Sequence, residues 1–168
     1  MNVAFIASMF LALGSTQAQN HNLEPVPELK NLDFLTGDWK GEQNFNTQGG
    51  PPMVGKLTLH THRAVSGHYI EEHSITQIPG RPEADVRHYI TYDKKTDKYR
   101  AWWFNDTKVG PSEYVGGLEG DKFVLESVNK PTLRATYEKV SAKKYNYKLE
   151  MKQDNGWMEL FHSTYTKR

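Results

Sequence analysis

No cysteine occurs anywhere in the 168 residues. Its absence excludes disulfides, a lipid anchor on cysteine, thiolate metal sites and a cysteine nucleophile. Neither sign of charge is in excess: 21 Lys and Arg stand against 20 Asp and Glu, a net of +1. The lysines are scattered through candidate hairpin tips and form no stripe. No nucleic-acid partner and no anionic membrane surface is therefore expected. Long hydrophobic runs are also missing. The apolar stretch at residues 3–13 covers eleven positions, too few to span a bilayer. There is no Ser-His-Asp pattern, no Gly-rich phosphate loop and no zincin motif. Repeats, low-complexity tracts and signs of a second domain are absent.

What the chain does have is a surplus of aromatic side chains, 12%, against a low mean hydropathy of -0.74. Its apolar content thus sits in aromatic and β-branched residues, which suit strands. The stretch at residues 3–13 is followed by small and polar residues ending in Thr16-Gln17-Ala18, an A-x-A-like cleavage site. Between Met1 and Asn20 there is no Lys or Arg, so the α-amino group alone supplies positive charge. The expectation is a signal peptide over 1–18, a flexible arm over 19–26 and one domain over 27–168. The mature protein would be secreted or periplasmic, with no membrane span once the signal is removed.

"PELKNLDFL" spaces Leu29, Leu32 and Leu35 three apart behind Pro27, which predicts one or two helical turns ending before Gly37. After Asp38 the helical period stops. Turn signals such as Ser66-Gly67, Pro79-Gly80, Asn129-Lys130-Pro131 and Asp154-Asn155-Gly156 recur and separate about ten segments of strand length. Short, evenly spaced strands with no long helix between them predict an antiparallel meander closing as a sandwich or barrel. In "KYNYKLEMK", Tyr145, Tyr147, Leu149 and Met151 share one face and five charged or polar residues the other, so one side is buried and one wet.

"LDFLTGDWKGE" resembles the N-terminal signature of a bacterial family, domain of unknown function 1579. "SGHYIEEH", "YDKKTDKYRAWWF", "VGGLEGDKFVL", "LRATYEK" and "NGWMELFHSTYTKR" resemble it in the same order. The resemblance implies an all-β fold, a single calycin-like or lipocalin-like antiparallel β-barrel of about ten strands with a short N-terminal capping helix. The G-x-W-x-G element is shared more widely, including with the haem-binding nitrobindins. "HSTYTKR" resembles their end, where a histidine near the C-terminus ligates haem iron, which would put that role on His162. The residues themselves explain the motif physically. A barrel needs one end covered, and Trp39, pointing inward at the start of a strand, would plug that end against the helix. Gly37 and Gly41, on its face, would leave room for the indole and let the helix pack close.

Four of the seven histidines fall in one hairpin, "KLTLHTHRAVSGHYIEEHS". A two-residue turn near Val65-Ser66 sets His60 opposite Glu71; a turn at Ser66-Gly67 sets His60 opposite His73 and His62 opposite Glu71. Either register puts His60, His62, Glu71 and His73 on one face, a plausible zinc shell, unless Leu57 and Leu59 mark the inward side. A three-residue loop would instead bring His68, Ile70 and Glu72 beside His60 and His62. Acid–base work by Glu71 or Glu72 is the enzymatic alternative, but consecutive strand residues cannot form a facing pair. In "YRAWWFND", Tyr99, Ala101 and Trp103 share one face; one tryptophan belongs to the core and the other lines a pocket or covers the outside. Turns at Asp154-Asn155 or Asn155-Gly156 both put His162 inward with Tyr145, Tyr147, Leu149 and Leu160; a three-residue turn would flip it.

The functional expectation is binding of a small, largely apolar ligand inside the barrel, through His162, Tyr145, Tyr147, Leu149 and Leu160. No cofactor is expected by default. Haem at His162, or zinc at the hairpin histidines, is the alternative, and a hydrolase or isomerase comes after it. Ligand identity and oligomeric state are not readable from the residues.

Overall fold

The computed structural model describes residues 24–106 and 109–168. The expected signal peptide and most of the expected arm lie outside the described residues. A 3-10 helix, Pro27–Leu35, precedes ten strands: β1 (Gly37–Phe45), β2 (Met53–Ala64), β3 (Tyr69–Gln77), β4 (Ala84–Asp93) and β5 (Lys98–Asn105), then β6 (Ser112–Glu119), β7 (Lys122–Ser127), β8 (Leu133–Ser141), β9 (Lys144–Gln153) and β10 (Gly156–Lys167). Each strand pairs antiparallel with its neighbour in sequence, and β1 also pairs with β10, so the sheet closes on itself. Closure removes the two exposed edges that an open ten-stranded meander would present.

Alternation decides what faces inward. In β2, Leu57, Leu59 and Thr61 are buried while Lys56, Thr58 and His60 are exposed. Tyr99, Ala101 and Trp103 point in from β5, and Tyr145, Tyr147 and Leu149 from β9. Trp102 lies outside, near Tyr69 and under Arg100.

The capping helix closes one end. Leu29, Leu32 and Leu35 are completely buried, and Trp39 is 1% exposed. The indole Nε1 donates to Leu35 O at 2.8 Å, satisfying a carbonyl that the end of a helix leaves free. Its ring meets Tyr145 edge-on at 4.8 Å. Tyr99 Oη ties the helix to the barrel, donating to Glu28 O at 2.8 Å and accepting from Asn31 Nδ2 at 3.2 Å. Trp39 is therefore the plug. A Cβ on Gly41 would strike the Thr164 carbonyl of β10, and one on Gly37 would meet the Lys167 side chain at 2.6 Å. They let β10 approach at the seam of closure.

Two local features set the registers that matter for the interior. The β2–β3 connection passes through Val65, Ser66 and Gly67, all with positive φ (48°, 54° and 84°). The resulting pairing sets His60 opposite His73 and His62 opposite Glu71, as a turn centred on Ser66-Gly67 requires. Val26 N donates to Gly67 O at 3.3 Å, so the residues entering the helix lie against this turn. In the last hairpin, Gly156 pairs with Gln153 and Met158 with Met151, but a β-bulge between Glu159 and Phe161 moves the register by one. Beyond it Phe161 faces Leu149, Ser163 faces Tyr147 and Tyr165 faces Tyr145.

Candidate functional site

Opposite the helix-capped end the barrel contains a cavity of about 250 Å3. Aromatic side chains dominate its wall: Trp103, Tyr137, Tyr145, Tyr147, Phe161 and Tyr165. Leu57, Leu59 and Leu149 lie between them, and Phe45, Ile78, Ala84 and Val86 extend the lining to the strand ends away from the cap. Three larger depressions, of about 710, 540 and 330 Å3, lie on the outer wall, the first two among lysines, glutamates and threonines and the third over Tyr69, Tyr89, Trp102 and Phe104. They are open grooves, and the second reaches the buried side chains of Ser163 and Tyr147.

A single carboxylate projects into the cavity. Glu72 follows Ile70 on the inward face of β3 and is 2% exposed. Its Oε2 accepts from Tyr137 Oη at 3.0 Å and lies 2.9 Å from His88 Nδ1. Because a carboxylate accepts, His88 donates there, which fixes its Nδ1–H. His88 is itself held flat on Trp103, ring centroids 4.3 Å apart, and Trp103 stacks on Tyr114 at 4.0 Å. Glu72 Oε1 finds no hydrogen-bond partner among the described residues, nor do Trp103 Nε1 and Tyr145 Oη. Buried polar atoms are rarely left so. At the wider end of the cavity Thr76 Oγ1 donates to Gln43 Oε1 at 3.2 Å.

Burial pushes the hydroxyls of Tyr137, Tyr145, Tyr147 and Tyr165 far above the usual tyrosine range, and the negative charge of Glu72 adds to the rise at each. At neutral pH these hydroxyls keep their protons. The cavity thus combines one buried acceptor, several held donors and an aromatic surround. It can grip a small apolar molecule that brings its own polar group.

The structure sorts the residues expected from sequence. Tyr145, Tyr147 and Leu149 line the cavity. Leu160 sits at the bulge and packs only partly buried against the core, and Phe161 occupies the wall in its place. His162 does not point inward. The bulge flips every residue after Glu159, so His162 stands opposite Lys148 with about half its side chain exposed, its Nδ1 2.6 Å from Glu159 Oε1. It belongs to an outer groove with Asn146, Lys148 and Thr164, away from any haem that the interior would hold.

His60, His62, Glu71 and His73 do share a face, but it is the outer one. His60 pairs with Asp38 at 2.7 Å, His73 with Asp85 at 3.0 Å, and Glu71 with Arg87 at 2.8 Å, leaving His62 3.8 Å from Glu71. Each is drawn to a different partner. Among the described residues no group of three or more His, Asp or Glu is placed to hold a metal ion. Glu72 and His88 were missing from the sequence expectation as a pair. The signal was available: Ile70, Glu72, Ser74 and Thr76 alternate against Ile90 and Val86, but reading it required the β2–β3 register.

Against known proteins, the family model described as "Protein of unknown function (DUF1579)" matches residues 24–167. Among solved structures, the chain is similar to Rv2717c from M. tuberculosis, with TM-score 0.64 and 14% identity over 86% of this chain and 99% of that one. It is also similar to the S-type phycobiliprotein lyase CPES from Guillardia theta, with TM-score 0.59 and 8% identity over 83% and 91%. At these identities the likeness establishes the barrel and nothing finer. No curated protein sequence matches.

Proposed function

The chain belongs to the DUF1579 family of proteins of unknown function, and on that premise we propose that it is an exported barrel that binds a small, largely apolar ligand in its interior. One observation carries the reading: a cavity of about 250 Å3 walled by aromatics, in which Glu72 Oε1, Trp103 Nε1 and Tyr145 Oη are buried without a partner among the described residues. Small-molecule sites are concave, mostly apolar and carry a few placed polar groups, typically in roughly 300–1,000 Å3. This cavity lies just below that range, so the ligand is small. The test is native mass spectrometry of protein purified from its own compartment, beside the cavity-filling variant Val86→Trp. A non-covalent adduct on the wild type, lost from an equally folded variant, is expected. No adduct, or the same adduct on both, would overturn the reading.

Export belongs to the same proposal and rests on the apolar stretch at residues 3–13 and the small-residue site ending at Ala18. N-terminal sequencing should find the mature chain beginning near Gln19; an intact Met1 on the functional protein would contradict it. A second reading, a hydrolase or isomerase, draws support from the Glu72–His88 contact at 2.9 Å, an arrangement suited to proton transfer. The phycobiliprotein lyase of similar fold is named for a chemical activity, which keeps that reading in view. It predicts that Glu72→Gln stops turnover of the identified ligand.

A further inference from the structure

Among the described residues of the cavity wall, Glu72 is the one carboxylate, His88 the one histidine, and lysine and arginine are absent. A site built for fatty acids or other carboxylates would need a cation to receive the anionic head, because an unpaired charge taken out of water is costly. Here the fixed charge has the opposite sign. Glu72 is buried, its Oε2 is held by Tyr137 and His88, and its Oε1 is left over. Around it the wall is aromatic, with Tyr145, Tyr147, Phe161 and Tyr165, and aromatic π systems attract cations where their faces are reached.

We propose that the interior takes a small apolar amine in its protonated form, the ammonium donating to Glu72 Oε1 and the apolar body lying against the tyrosine and phenylalanine wall. A neutral alcohol would satisfy the oxygen but gain nothing from the rings. The ammonium uses both features at once, and a charge-assisted hydrogen bond is the stronger kind. The cavity volume limits the body to about one ring with a short chain. This inference rests on the reading that the interior binds a ligand at all.

Three probes of one shape and different charge test it: benzylamine, benzyl alcohol and benzoate, titrated calorimetrically into the full-length mature protein at neutral pH. Benzylamine should bind tightest and benzoate not detectably. Glu72→Gln, which can still accept from Tyr137, should weaken benzylamine roughly ten- to a hundredfold and leave benzyl alcohol little changed. Val86→Trp should weaken both. Benzyl alcohol or benzoate binding the wild type as tightly as benzylamine would overturn the amine inference while leaving an interior ligand in place. Failure of all three to bind, or indifference to Val86→Trp, would remove the interior site itself. The wild-type series decides the charge preference even if a variant does not fold.

Discussion

Replacing Trp39 by alanine removes a side chain that is 1% exposed and caps the Leu35 carbonyl. Large-to-small changes of this kind cost about 3–5 kcal/mol, so the urea midpoint of Trp39→Ala should fall sharply. Ligand retained per folded molecule should stay as in the wild type, because the indole lies at the capped end and does not line the cavity. A midpoint within error of wild type would contradict the plug. His162→Phe is the opposite case. The side chain is half exposed and bonded to Glu159, so stability should shift by no more than about 0.5 kcal/mol, and hemin titration should give the same flat response for both proteins. Trp39 was legible because G-x-W-x-G fixes both its neighbours and its strand position. His162 was not, because a single extra residue at Leu160 reverses the face it occupies and leaves no local mark in the sequence.

At the scale of elements, the strands need close backbone approach at particular glycines. A Cβ on Gly116 of β6 would collide with the Val124 carbonyl of β7. Gly116→Ala should therefore destabilise by about 1–3 kcal/mol, the usual cost of overpacking, while Gly117→Ala, with open space around it, should cost little. Equal effects in denaturant melts would argue against the β6–β7 packing. In the β2–β3 hairpin His60 and His73 are each held by a separate aspartate, and Glu71, the carboxylate nearest His62, is taken by Arg87. Added zinc and added chelator should leave its thermal melting unchanged, and a zinc-dependent rise would revive a metal shell there. The strands themselves were readable from turn signals and alternation, since short strands and polar hairpins repeat regularly. The interior polar pair was not, because a three-residue β2–β3 loop, equally open from the residues, would have put Glu72 on the face of His60 and His62, and only the observed register sets it opposite the buried Thr61.

For the whole molecule, the buried tyrosines predict behaviour in base. Tyrosine in an unfolded chain titrates near 10, and burial raises Tyr137, Tyr145, Tyr147 and Tyr165 far above that. Between the two values the folded protein holds protons that the unfolded chain has released. Stability is thus fully present below about pH 10 and falls as pH rises beyond it, by up to ~1.4 kcal/mol per pH unit for each such group. Urea midpoints should be insensitive to these groups up to about pH 10 and then drop steeply, with the tyrosinate absorbance of the buried rings appearing together with unfolding. Tyrosinate absorbance from these rings in a still-folded protein would show that water reaches them.

The seam between β1 and β10 also has a consequence for how the molecule comes into being. Trp39 pairs with Lys167 and Phe45 with Phe161, so the first strand waits for the last. β2 can pair one side of β1 early, but the other side stays an open edge until β10 arrives. Such edges are templates for pairing with other chains, and contacts this distant in sequence form slowly. A chain stopped after Gln153 should therefore aggregate rather than yield a nine-stranded barrel, and adding the peptide 154–168 while refolding should recover soluble protein.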